Sequence, residues 1–501
     1  MKNKKVKMNK ETKELINSHK KQKEKAPKLP AWCYVDDNGN IKVNIGSLGE
    51  LIQKERNYLF ITNKDKETLY EYNYKLGYWL PISKGSISKA IHDKLTSVGK
   101  WTSQNQRKTY EFINSGIPRK QFQDTIGHSP EMAFNFLNGV YNWSTGKLEP
   151  HNKKYYFEGC TSYPLDMANN QTSETNKYFK LLLGENAKTM MEFIGYSFYP
   201  SYEPIQCIVI LKNEGGDGKT WFTNHVINKM LGINNVSNIS LNQLADVKNN
   251  KFKPAELFHK YVNVSSELSE SESSLLPTDS LKKLSGNDYI NVDNKGQRDT
   301  RFQNYAKLLI ITNTLVHFRD DSDGFSRRVY IMPAHKIPDF ENTIDVRKME
   351  AERGAFAYKC IELAKDAMKR KPVKGKRYLT KTNSISRLVN NWMLDNDPVQ
   401  QFINDCVTKA QGKREKALDV IQAWKNWCSD NDYKPLGKTN FKNKMIKKGF
   451  NYHEERKRGS DGKQLPRKYY FTNMTLNENA NPEGKIRDRK IVCVRMNYSL
   501  I

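Results

Sequence analysis

The 501-residue chain is poor in the features that would commit it to disulfides, metals or a lipid bilayer. Its seven cysteines (positions 33, 160, 207, 360, 406, 428 and 493) are scattered, odd in number and never spaced Cys-x-x-Cys. That excludes a disulfide frame and a zinc site, and points to reduced thiols in a cytoplasmic protein. Nine equally dispersed histidines offer no metal cluster either. No apolar run approaches the roughly 20 residues of a membrane-spanning helix. An amphipathic anchor and a signal-peptide core are missing too, so no membrane partner is expected. Acidic residues are in deficit: 55 Asp plus Glu stand against 83 Lys plus Arg, a formal charge of +28. Such an excess calls for a polyanionic partner, with nucleic acid the leading one.

What is present is organised around Asn213-Glu214-Gly215-Gly216-Asp217-Gly218-Lys219-Thr220, which follows the apolar run Cys207 to Leu211 and opens a predicted helix at Gly218. Small residues in such a loop let successive backbone N–H groups converge on phosphate oxygens, and the following helix adds its positive end. Lys219 is placed to reach the outer phosphates and the Thr220 hydroxyl to hold Mg²⁺. Gly215, Gly216, Asp217, Gly218, Lys219, Thr220 and Trp221 are the predicted nucleotide-contacting run, with ATP and Mg²⁺ as cofactors. The usual pattern has Gly where this chain has Asn213, a residue that tolerates left-handed backbone. Trp221, Phe222, Val226, Ile227 and Met230 recur at helical spacing, the buried face of the helix that the phosphates cap.

The next apolar stretch, Tyr261 to Ser265, ends in Ser266-Glu267. A carboxylate at the end of a neighbouring parallel strand can orient and activate the attacking water, the role assigned to Glu267, while Ser266 offers a hydroxyl toward Mg²⁺ through water. Tyr289 to Phe302 reads as a hairpin with Lys295 at its tip and Arg298 and Arg301 on its return strand. A buried strand, Lys307 to Ile311, ends in Thr312-Asn313, where Asn313 can bond both γ-phosphate and water. Arg327-Arg328, just before the strand Val329 to Met332, suit a trans-acting finger for a neighbour's γ-phosphate. Adjacent residues entering a strand point to opposite sides, so one of the two is expected at the interface.

Composition divides the remainder. Residues 1–30 carry eleven Lys and three Glu with almost nothing apolar, the signature of a disordered basic arm. Residues 31–180 read as a mixed α+β N-terminal domain, with strands near 69–73 and 77–80, a helix over 86–95 and a hairpin at 138–146. The ATPase spans 181–345, beginning with a helical stretch over 181–199. Residues 346–378 are a helical segment running into the basic linker Lys369 to Arg377, and 477–501 a polar tail. In 379–476, Ala417, Ile421, Trp424 and Cys428 share one helix face, a second helix covers Thr439 to Lys448, and a hairpin follows. That predicts a C-terminal winged helix-turn-helix. Its stretch 438–468 holds eleven Lys or Arg against three acids, so Lys442, Lys444, Arg456, Lys457 and Arg458 are the predicted DNA contacts.

Taken in order, the phosphate loop, Glu-ended strand, hairpin, Asn-ended strand and paired arginines resemble the superfamily 3 helicases. The likeness is greatest to the phage and plasmid primase–helicase family and to the replication initiator helicases of staphylococcal mobile elements. It rests on Leu281 to Asp288, Ile310 to Asn313, Phe325 to Val329, and Asn138-Gly139-Val140 with Trp143, Thr145 and Gly146. The resemblance implies an α/β, AAA+-type P-loop core with a parallel sheet, and a ring, usually a homo-hexamer, with ATP at subunit interfaces and hairpins in a central channel. The family's own primase module has no counterpart before residue 135, so a separate primase or replication accessory protein is an expected partner. The function implied is an ATP-dependent DNA helicase and replication initiator of a mobile genetic element, acting on double-stranded origin DNA and single-stranded DNA. Its rival is an ATP-switched origin-binding protein without processive unwinding.

Overall fold

The computed structural model describes residues 29–63, 66–126, 132–213, 218–245, 253–266, 276–294, 297–315, 318, 323–431, 433–456 and 466–480. The predicted basic arm, up to residue 28, and the tail beyond residue 480 lie outside the described residues. Two compact units are present, the first comprising the described residues up to 165 with 231–235, 294 and 297–299.

The first unit opens on a hairpin, β1 (Cys33–Val35) and β2 (Ile41–Val43). Its turn is built by Asp36, whose carboxylate accepts from the Asn38 and Asn40 N–H groups at 3.1 and 2.8 Å, the ordinary work of Asp beside Asn-Gly. Strands β3 (Tyr58–Asn63), β4 (Lys66–Asn73), β5 (Tyr78–Ile82) and β6 (Arg119–Gln121) form a sheet in the order β5-β4-β3-β6. Helices Ile45–Glu55, Lys84–Ser97 and Ser103–Gly116 contribute Leu48, Ile52, Ile87, Ile91 and Ile113 to its core. Strands β7 (Ala133–Phe136), β8 (Gly139–Asn142) and β9 (Lys147–Glu149) form a meander. This unit is the expected α+β domain.

The second unit carries β10 (Ile208–Asn213), β11 (Val236–Ser237), β12 (Val262–Ser266), β15 (Lys307–Thr312) and β16 (Val329–Ala334), together with β13 (Tyr289–Asn294) up to residue 293 and β14 (Gln297–Gln303) from residue 300. Strands β13 and β14 pair as a hairpin, and the others make one parallel sheet in the order β11-β12-β15-β10-β16. All of β15 and Ile208 to Leu211 of β10 are buried, as parallel strands covered on both faces must be. A third module follows within the same unit. Helices Pro398–Cys406, Ala417–Asp430 and Lys438–Lys447 pack with β17 (Val407–Lys416), β18 (Asn451–Glu455) and β19 (Lys468–Leu476), in sheet order β17-β19-β18, around Phe402, Trp424, Phe441 and Phe471.

The structure corrects several expectations. The helix expected over 181–199 is two helices, Ser173–Leu183 and Ala187–Ser197, broken at Gly184, whose φ of +54° suits glycine. The first starts early because Glu352 of the helix Val346–Lys369 caps it, accepting from the Glu174 and Thr175 N–H groups at 3.1 and 2.8 Å. The second unit therefore begins before residue 181. Gly195 lets Ala187–Ser197 touch Val346–Lys369 backbone to backbone: a Cβ there would stand 1.8 Å from the Cys360 carbonyl oxygen.

Nor is the basic stretch after Lys369 a free linker. The fully buried Glu192 carboxylate takes the Arg370 guanidinium, the Thr380 N–H at 2.6 Å and the Thr380 hydroxyl at 2.7 Å. A buried carboxylate needs such partners, and this one finds them in the segment predicted to be loose. The helix Asn383–Asp395, placed by sequence in the winged module, instead packs on β16, with Trp392 against Phe318 and Phe325. Strand β17 was not expected, because its sequence reads as polar; pairing along β19 defines it.

Lys307, the first residue of β15, is completely buried, and its Nζ donates to the Tyr199 and Tyr305 carbonyls at 2.7 and 2.8 Å. The Tyr196 and Tyr202 ring centres lie 4.4 and 4.7 Å from it, so π faces complete the cage. Burial pulls this ammonium down to about 7, opposed by Cys207. An unfolded lysine titrates at about 10.4. Between these values the unfolded chain binds the extra proton, so the site's contribution to stability rises with pH. Burial holds Tyr196 and Tyr202 well above the ordinary tyrosine value and Cys207 at about 12, so none of them titrates in that window. Denaturation of the wild type and Lys307→Met, followed from about pH 7 to about pH 10, should show the wild type gaining on the variant by a few kcal/mol. A pH-independent difference would show that the carbonyls and rings keep the ammonium near its unfolded value.

Candidate functional site

Strand β10 delivers the chain to Asn213; Glu214, Gly215, Gly216 and Asp217 lie outside the described residues. At Gly218 the backbone is left-handed, φ +97°, where a side chain would be strained. Lys219 then starts a helix that becomes π-helical over Phe222–Asn228. Lys219 Nζ donates to Asn313 Oδ1 at 2.5 Å. The two residues follow the C-terminal ends of adjacent parallel strands, with Lys212 paired to Thr312, and Asn313 is exposed. Thr312 shapes the turn beyond β15 by donating its hydroxyl to the Thr314 carbonyl at 2.7 Å. A cation and an amide so placed can bind one anion together. Thr220 is exposed beside Lys219. Trp221 stacks on His225, centres 4.9 Å apart and planes 8° apart, and meets Tyr178 and Phe340 at 5.1 and 4.9 Å. These rings fix the first turn of the helix that begins at Lys219.

Ser266 closes β12; its side chain and Glu267 lie outside the described residues. Strand β12 pairs with β15 and not with β10, so the Asn313 strand stands between the phosphate-loop strand and the strand that leads to Glu267. This corrects the expected adjacency: two strand spacings, about 10 Å, separate β10 from β12.

Arg327 and Arg328 lie in the turn between the short helix Asp323–Ser326 and β16. They are not on opposite sides as expected, because the Arg327 and Arg328 N–H groups still donate to the Asp323 and Phe325 carbonyls and the backbone is not yet extended. Instead both converge on one acceptor: Gln206 Oε1 takes Arg327 Nη2 at 2.6 Å and Arg328 Nε at 3.1 Å. Arg328 is buried and also donates to the Gly324 carbonyl at 2.8 Å, whereas Arg327 is half-buried. Strand register pairs Ile208 with Val329 and Asn213 with Ala334. The arginines thus sit at the N-terminal end of β16, a strand length or about 20 Å from the phosphate loop.

The other predicted contacts divide. Arg301 is exposed and covers the Tyr289 ring at 4.5 Å on the β13–β14 hairpin; Lys295 and the Arg298 side chain lie outside the described residues. Lys442 lies over the Tyr452 ring at 5.1 Å. Lys444 turns toward the buried Asp397, 3.9 Å away, which also binds Lys448 at 2.6 Å and caps the helix Pro398–Cys406. It is therefore not on the outward face, which Thr439, Asn443, Ile446 and Lys447 supply. Arg456 is exposed and pairs with Glu454 at 2.9 Å, and Lys457 and Arg458 lie outside the described residues. Among the described residues no group of three His, Cys, Asp or Glu could hold a metal. Sequence reasoning missed Gln206, since a lone Gln before an apolar run carries no signal.

On the nucleotide reading, Asn313→Ala should leave nucleotide affinity within a few-fold and lower hydrolysis by about 10²-fold, as loss of one transition-state donor does. Equilibrium binding of a fluorescent ATP analogue and steady-state turnover would separate the two effects. A parallel loss of affinity would make Asn313 a support for Lys219 only.

Three regions of the chain match known protein families. Residues 57–187 match "D5 N terminal like", residues 211–328 a "Family of unknown function (DUF5906)", and residues 394–482 "Poxvirus D5 protein-like". No curated protein matches the chain. Among solved structures, an A-form apo structure of the NrS-1 C-terminal region is 14% identical with a TM-score of 0.43, covering 77% of this chain and 80% of that one. A further apo structure of that region is 14% identical at 0.42, covering 85% and 98%. A JCV helicase with a bound small molecule is 12% identical at 0.27, covering 47% and 65%. By sequence, the two flanks of this chain are D5-like, and the stretch between them that holds Lys219, Asn313 and the arginine pair matches a family without assigned function.

Proposed function

We propose that the chain is an ATP-dependent DNA helicase and replication initiator of a mobile genetic element, akin to the superfamily 3 helicases and, among them, the staphylococcal initiators. It acts in the cytoplasm as a ring-shaped homo-oligomer, a hexamer on the family's pattern, on double-stranded origin DNA and on single-stranded DNA. A separate primase or accessory protein would complete replication. ATP and Mg²⁺ occupy the run 215–221: Lys219 holds the outer phosphates, and Thr220 with Ser266 through water holds the metal. Glu267 activates water and Asn313 bonds the γ-phosphate.

The observation that carries this reading is the placement of charge at the two ends of β10. Lys219 meets Asn313 at its C-terminal end, while Gln206 holds Arg327 and Arg328 at its N-terminal end. Groups about 20 Å apart cannot share one chain's phosphates, so the arginines favour sites completed between copies. The strand order, with the Asn313 strand beside the phosphate-loop strand, supports an AAA+-type core. Helices Ala417–Asp430 and Lys438–Lys447 with the β18–β19 hairpin support a winged helix, in which Lys442, Arg456, Lys457 and Arg458 contact phosphates. Lys295, Arg298 and Arg301 grip the translocated strand.

Arg327→Ala and Lys219→Ala proteins, each without turnover alone, should regain ATP hydrolysis when mixed, because some interfaces then join an intact loop to an intact arginine. No recovery at any ratio, with co-assembly shown, rejects the shared site. Lys295→Ala should abolish strand displacement from a fork yet spare duplex binding. Removing charge at Lys442, Arg456 and Arg458 should instead flatten the log-affinity against log-salt slope for duplex by about one per contact. An ATP-switched origin binder would hydrolyse ATP but displace no strand.

A further inference from the structure

The corner of the sheet that holds the arginine pair also holds a third cation. Lys381 follows the segment that Glu192 ties down, and its Nζ donates to the Arg327 carbonyl at 3.2 Å. It lies 5.2 and 5.5 Å from the Tyr330 and Tyr378 ring centres. Lys381 is exposed along its length, yet local desolvation around the ammonium, and then the Arg327 charge, pull it below the ordinary lysine value.

Among the described residues, neither Arg327 nor Lys381 meets a carboxylate. Their acceptors are a neutral amide oxygen, a backbone carbonyl and π faces. Other cations of the same unit do meet acids, as Arg370 meets Glu192, Lys448 meets Asp397 and Arg353 meets Glu350. Two like charges held side by side repel, and an arriving anion relieves the repulsion. Gln206 suits that arrangement chemically. Its amide oxygen orients the Arg327 guanidinium as a carboxylate would, but leaves the positive charge uncancelled for another partner.

We propose that Arg327, Lys381 and Gln206 form a preset anion-receiving site, in which Gln206 positions the guanidinium and Lys381 adds the second charge. Its ligand is the terminal phosphate of a nucleotide bound by a second copy of this chain. The chain's own loop is about 20 Å away along β10, so the phosphate has to come from outside. This rests on the reading of the chain as an ATPase with shared sites and adds to it two residues and a reason for a neutral side chain at position 206. The site makes and breaks no bond; it supplies charge and orientation.

The test uses the full-length protein with Arg327→Ala as reference. Gln206→Glu should leave the affinity for a fluorescent ATP analogue unchanged and the thermal midpoint equal or higher, since the new carboxylate pairs with both arginines. Turnover should fall about 10²-fold because the charge is now cancelled. Lys381→Ala should lower turnover about tenfold with affinity unchanged, and Lys381→Arg should retain most of it. Mixing either impaired variant with Lys219→Ala protein should raise hydrolysis above the sum of the two alone, because the Lys219→Ala copies bring an intact corner; a merely structural defect would lower the midpoint and resist rescue. Normal turnover by Gln206→Glu and Lys381→Ala overturns the inference, leaving the arginine reading standing if Arg327→Ala is inactive in the same assay. Normal turnover by Arg327→Ala removes both.

Discussion

Strand β10 is hydrogen-bonded in parallel on both edges, to β15 and to β16, and its apolar residues are covered on both faces. A strand so enclosed has only its two ends available for chemistry, and both are used. The C-terminal end feeds Gly218 and the Lys219–Asn313 contact; the N-terminal end presents Gln206 to the arginine turn. Register does the positioning, since a shift of one residue along β16 would move Arg327 away from Gln206 and exchange the side chains packed on the two buried faces. The cage around Lys307 serves the same constraint, fixing the start of β15 against the chain that leads into β10.

How much of this was legible in the sequence depended on whether the signal was local. Gly218-Lys219-Thr220 after an apolar run is local, and so is the apolar stretch ending in Asn313; both strands formed close to where they were read. Strand order is not local. Nothing in Tyr261 to Ser265 states that β15 separates it from β10, because that depends on how connections cross the sheet. The segment after Lys369 misled for a related reason: a run of Lys and Arg beside Pro and Gly looks solvated until Glu192, far away in sequence, is seen to bind it. Gln206 was invisible because its meaning lies wholly in its partners.

The C-terminal module shows a similar division. Apolar spacing identified its helices, whose Trp424 and Phe441 rings stack 5.0 Å apart in the core. Counting lysines could not tell which of them turn inward. Asp397 caps one helix while drawing Lys444 and Lys448 from another, so part of the positive charge holds the module together. Arg414 and Arg456 likewise pair with Glu455 and Glu454, whereas Lys447 is exposed.

One feature of the connection into that module bears on timing. Only Thr382 separates Lys381 from the helix Asn383–Asp395, and it is spent as that helix's N-cap, accepting from the Ile385 N–H. The tether between the arginine corner and the helix leading to the C-terminal module therefore has no slack. A displacement of that helix pulls at once on the residue touching the Arg327 carbonyl, and a rearrangement of the corner reaches the helix in return. A longer, looser join would add backlash, letting the two ends fall out of step.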